Sequence, residues 1–88
     1  MMNVKVFDTH VRTKDGRYLH FDVLIDSNDA DLAKSYARRF LEEQGVQDED
    51  ISQNECRFCH VEPTNPVVAE AISKQGHYII KLQGCEDK

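Results

Sequence analysis

No apolar run in this sequence approaches the ~20 residues needed to span a bilayer. No apolar signal-peptide core follows the N-terminus either, since Met1 to Phe7 leads straight into alternating residues. Both absences point to a cytoplasmic protein with no membrane partner. Basic charge is also short: eleven Lys and Arg stand against sixteen Asp and Glu, a formal net charge of -5. Apart from Arg38 and Arg39 the cations are scattered, so the basic stripe of a phosphate-backbone binder is missing and nucleic acid is not the expected partner. Cysteine is sparse and odd in number, three in all. In a reducing compartment those thiols stay free, and an odd count does not close a disulfide framework. There is no Gly-rich phosphate cradle, internal repeat or low-complexity segment. Length is the last shortage. The 88 residues read as one domain, 1–88, burying roughly 60–65% of the unfolded surface. A core this thin favours a groove, a sheet face or a subunit interface over a deep dry cavity.

What is present alternates. Residues 4–11 and 17–25 are rich in β-branched and aromatic types and read as two strands. Between them, Lys14-Asp15-Gly16 suits a three-residue loop with Gly16 in the left-handed region. That turn sets Thr13 opposite Arg17, and hence His10 opposite His20, Asp8 opposite Asp22 and Val6 opposite Leu24. One face of the ribbon then carries Phe7, Thr9, Val11, Leu19, Phe21 and Val23, which belongs against the core. The other carries Asp8, His10, His20 and Asp22 together with Val4, Val6, Tyr18 and Leu24.

A helix is expected at about 29–44, where Leu32, Ala33, Tyr36, Ala37, Phe40 and Leu41 form an apolar stripe. Asn28 is its expected N-cap and Gly45 its stop. Residues 46–53 are polar and acidic and read as a connection. A third strand follows at about 55–61. Asn65-Pro66 opens a short second helix with Val68, Ala71 and Ile72 on one edge, Gly76 closes it, and residues 77–82 form a fourth strand. Glu86, Asp87 and Lys88 are expected to fray. The order β-β-α-β-α-β predicts an α+β fold: a four-stranded sheet with two helices on one face, covering Phe7, Leu19, Phe21 and Val23.

Three blocks carry a family resemblance. They are Phe7-Asp8-Thr9-His10-Val11 with His20-Phe21-Asp22-Val23, then Cys56-Arg57-Phe58-Cys59-His60, then Gly76-His77-Tyr78-Ile79-Ile80 with Gly84-Cys85. The chain resembles the small uncharacterised bacterial family catalogued as domain of unknown function two thousand and twenty-four (a DUF family). The resemblance spans nearly the whole chain. It implies a compact α+β domain and brings no catalytic assignment.

Two constellations carry chemistry. Asp8, His10, His20 and Asp22 lie within cross-strand reach of one another, close enough to share a metal or a polar ligand. Read plainly, they are a polar sheet face whose Asp–His pairs contribute little. The second constellation is Cys56-x-x-Cys59-His60. It matches c-type haem attachment in spelling, but that chemistry normally needs export. A thioredoxin-like pair would need a helix start at Cys56, and none is apparent. Thiolate zinc at Cys56, Cys59 and Cys85, completed by His60 or His77, would need a knuckle, because residues three apart on a regular strand face opposite ways. Otherwise these are small buried side chains beside Phe58.

The leading expectation is a binding or interaction module, leaning away from an enzyme, that self-associates as a homo-oligomer through an open sheet face. That face combines Val4, Val6 and Leu24 with the Asp8/His10/His20/Asp22 group. The alternative is a metal protein, with zinc on the thiolates or a metal on the hairpin, and behind it a thiol redox protein. No cofactor is required by the first reading, and the sequence does not define a small-molecule ligand.

Overall fold

The computed structural model describes residues 3–85, so the expected fraying of Glu86, Asp87 and Lys88 lies outside the described residues. A hairpin of β1 (Asn3–Thr13) and β2 (Tyr18–Ile25) leads into α1 (Ala30–Glu43). A 3-10 turn at Asp48–Asp50 precedes β3 (Ile51–Pro63), then α2 (Pro66–Gln75) and β4 (Tyr78–Gln83). The four strands form one antiparallel sheet in the order β3-β1-β2-β4. The fold is thus α+β, with the hairpin at the centre and the later strands at its edges. Among the described residues, no helix is long and apolar enough to cross a membrane.

The three-residue turn forms as the sequence requires. Thr13 N–H donates to Arg17 O at 2.9 Å and Gly16 N–H donates to Thr13 O at 3.2 Å. Gly16 takes a φ of +93°, which an L side chain rarely adopts. This fixes the register: Val6 faces Leu24, Asp8 faces Asp22 and His10 faces His20. Phe7, Val11, Leu19, Phe21, Val23 and Ile25 all fall on one face and are buried there. Against them α1 lays Ala33, Ala37, Phe40 and Leu41. Its N-cap is Asp29 rather than Asn28, because Asp29 Oδ1 accepts the Leu32 N–H at 3.1 Å.

The two helices do not share a face, which corrects the sequence expectation. α2 opens as expected on an Asn65 cap, whose Oδ1 accepts the Val68 N–H at 2.9 Å, followed by Pro66. Its buried Val68 and Ile72, however, pack with Val4, Val6 and Leu24, which point away from α1. The reason is area. Three aliphatic side chains at one end of the second face form a stripe whose burial is worth roughly 1.5–3 kcal/mol each, and α2 carries the matching apolar edge. Only the other end of that face, around His10 and His20, stays open.

A second correction concerns β3. It begins at Ile51 rather than near residue 55, so part of the acidic connection is strand. Ser52 Oγ anchors this early stretch to Arg12 O at 3.0 Å. As an edge strand, β3 needs pairing on one side only, and its polar side chains can remain in water. The pairing shifts register between Val6–His60 and Phe7–Phe58, leaving Cys59 as the extra residue of a β-bulge.

Candidate functional site

The open half of the second face is assembled by the central hairpin. Alternation puts Asp8, His10, Tyr18, His20 and Asp22 on this side, and the Gly16 turn locks their register. The carboxylate of Asp8 is the hub. His20 Nε2 donates to Asp8 Oδ1 at 2.6 Å and His10 Nε2 donates to Asp8 Oδ2 at 2.8 Å. The two imidazoles stack with centroids 4.1 Å apart and planes 15° from parallel. Tyr18 Oη lies 2.5 Å from His10 Nδ1. With Nε2–H of His10 committed to Asp8, Nδ1 accepts the tyrosine proton, and a chain Tyr18–His10–Asp8–His20 results. The Arg12 guanidinium caps the outer Tyr18 ring at 4.6 Å.

The two aspartates are driven apart. For Asp8, partial burial acts to raise the carboxyl, but hydrogen bonds from His20 and His10 outweigh it and hold it below its ordinary value. For Asp22, burial, reinforced by the hydrogen bond and the negative charge of Asp8, pushes the carboxyl up to about 6. Asp8 is therefore the first of the pair to ionise, and Asp22 gives up its proton only as pH rises through about 6.

Of the four hairpin residues marked in the sequence, Asp8, His10 and His20 converge through hydrogen bonds, and Asp22 is paired across the strands with Asp8. Ligand atoms of Asp8, His10 and His20 all lie within 4.8 Å of one another. Strand parity puts Tyr18 on this face, but the sequence assigns it no part in the cluster. The signal that could have found it is its place two residues before His20, on the same face. A groove beside the cluster is lined by His10, Arg12, Tyr18, Gln53, Asn54 and Glu55.

The expected thiolate group Cys56, Cys59, His60 and Cys85 is not gathered. Cys56 turns toward the α1 side, where Thr9 Oγ1 donates to its sulfur at 3.4 Å. Cys59 is exposed at the bulge, and Cys85 lies against the backbone of His20 at 3.8 Å. His60 binds Glu62 at 2.6 Å on the opposite side of β3 from Cys56, and His77 stacks on Tyr36. Among the described residues, Asp8–His10–His20 is the cluster with metal-ligand spacing. Burial pushes the Cys56 and Cys85 thiols up, the reverse of what a nucleophilic thiol needs.

Fold and site together define a small α+β sheet domain with an Asp/His/His cluster on an open half-face. A family model described as "Domain of unknown function (DUF2024)" matches residues 2–82, and the chain belongs to that family. It is similar to the NMR structure of protein NE1680 from Nitrosomonas europaea, with 40% sequence identity and a TM-score of 0.80. That match covers 97% of this chain and 100% of the other. Among curated proteins none matches the chain.

Proposed function

We propose that this domain is a binding module whose ligand is a divalent transition-metal ion held by Asp8, His10 and His20. The observation that carries this reading is the convergence of two imidazole nitrogens on one carboxylate, with all three ligand atoms inside 4.8 Å. Two imidazoles and a carboxylate suit zinc and its first-row neighbours, and three protein ligands leave a coordination position open. Metal bonds of about 2.0–2.1 Å set tetrahedral ligand atoms about 3.3 Å apart. To bind one ion, the imidazoles at 2.6 and 2.8 Å from Asp8 must move outward and their stacked rings, now 15° from parallel, must splay until both Nε2 lone pairs meet at one point. The outer shell is already in place. Tyr18 can turn its hydroxyl to accept from His10 Nδ1–H, and Asp22 steadies Asp8. The adjoining groove gives a small ligand access to the open position. The wider expectation of self-association through this face loses its apolar support, because Val4, Val6 and Leu24 lie under α2.

The test is Co(II) and Zn(II) titration of protein purified without a metal-affinity tag. Expected are one equivalent bound, a Co(II) visible spectrum without thiolate charge-transfer bands, and loss of binding in Asp8→Ala and His20→Ala. Tyr18→Phe should weaken affinity about tenfold. Stoichiometry below about a tenth of an equivalent at millimolar metal, or thiolate bands in the cobalt spectrum, would overturn the reading.

A further inference from the structure

The outer edge of β3 is chemically unlike the other edge of the sheet. β4 is six residues long, whereas β3 runs for 13 and leaves its outward backbone groups unpaired among the described residues. Long open edges are usually guarded by charge, proline or a bulge. Here the bulge does something further. On a regular strand, Phe58 and Val61 would face opposite ways, as would Arg57 and Glu62. With Cys59 inserted, Phe58 pairs with Phe7 and Val61 with Lys5, so both stand on the α1 side. Arg57 pairs with Asp8 and Glu62 with Val4, so both stand on the opposite side.

We propose that β3 is the seat of a homodimer, in which two copies of this chain join edge to edge about a two-fold axis between Cys59 and His60. Antiparallel pairing about that axis sets Phe58 opposite Val61 of the second copy, and Arg57 opposite Glu62 of the second copy, each twice. Directly opposite residues in a sheet must share a face, and the bulge is what makes both pairings satisfy that condition. The side chains fit the role. Phe58 meets Phe7 edge-on at 5.7 Å and still leaves 52% of its surface exposed, while Val61 leaves 47%. The apolar pairs would cover this surface, and the charge pairs, formed by drawing Arg57 from Glu55 and Glu62 from His60, would select the register. The result is a continuous eight-stranded sheet. The inference does not depend on metal binding at the hairpin.

Sedimentation velocity of the full chain across a concentration series tests it. A single-strand contact belongs to the small interface class, so a monomer–dimer equilibrium on the order of micromolar is expected. Arg57→Glu and Glu62→Arg each set like charges opposite one another twice, and each should weaken the dimer at least about tenfold. The double variant restores opposite charges and should recover affinity to within about threefold. Circular dichroism verifies that each variant folds. As a second measurement, a short bis-maleimide should join Cys59 to Cys59 of the second copy, seen as a cross-linked peptide by mass spectrometry. A chain that stays monomeric at millimolar concentration overturns the proposal. So does a dimer indifferent to both single changes, a double variant no tighter than the singles, or a dimer that yields no Cys59 cross-link.

Discussion

Val4 and Val6 stand on the same side of the same strand as Asp8 and His10, yet the two pairs live in different surroundings. The valines are 1% and 2% exposed beneath α2, while Asp8 and His10 sit half-buried at the open end of the sheet. Backbone conformation, strand and facing are the same for both pairs. The difference lies in what crosses over them: Val68 and Ile72 reach the aliphatic end and stop there. Strand parity therefore assigns a side chain to a face, but only the covering helix decides whether that face is core or site. The arrangement also gives the cluster a dry boundary on one side and water on the other. In such a setting a carboxylate can stay ionised and still be held firmly by two imidazoles.

The sharpest way to break this contrast is to hollow out the covered half. Leu24→Ala removes a side chain that is 2% exposed between β1 and α2 and should cost about 2–5 kcal/mol in urea unfolding. A loss under about 1 kcal/mol would mean that α2 does not cover this end. The open half should respond less. Asp22→Asn replaces the carboxyl raised to about 6 with a permanently neutral isostere. Because the folded value lies above the ordinary 3.8, Asp22 contributes stability that is full below 3.8 and lost as pH rises through about 6. The native chain should therefore gain stability as pH falls across that window, and Asp22→Asn should flatten the gain. Asp22 is only partly buried, and solvent screening keeps the amplitude under about 1 kcal/mol. Equal slopes in urea midpoints for both proteins would remove Asp22 from the account. Smallest of all, Tyr18→Phe deletes one hydrogen bond to His10 and should lower apo stability by about 0.5 kcal/mol. Its clearer mark is on the His10 ring, whose NMR signals should shift while those of His77 stay in place.

Much of this architecture was legible beforehand, for local reasons. The Lys14-Asp15-Gly16 turn dictated the hairpin register, and the register placed the four ionisable residues together. The α1 stripe and the Asn65-Pro66 start were equally plain, since helical spacing and capping depend on neighbours in sequence. The misreadings were non-local. Residues 51–53 look like part of a linker, because a strand that pairs along one edge has no need of apolar alternation. Cys56 and Cys59 look like a ligand pair from spacing alone, but the knuckle such a pair needs does not form: Cys56 keeps its place opposite Thr9, and Cys59 is left exposed at the bulge. Tyr18 looks like packing, because its hydroxyl acquires a role only when His10 arrives opposite His20.

The sequence by itself determined the elements, the central turn and the face on which each hairpin side chain stands. These follow from φ/ψ preferences, capping and a two-residue repeat, all of which act over a few bonds. Tertiary structure alone decided that α2 would cross to the second face, that this face would divide into a covered and an open half, and that the thiols would lie apart. Those outcomes depend on which distant apolar surfaces meet, and burial rewards contact between surfaces without regard to their separation along the chain.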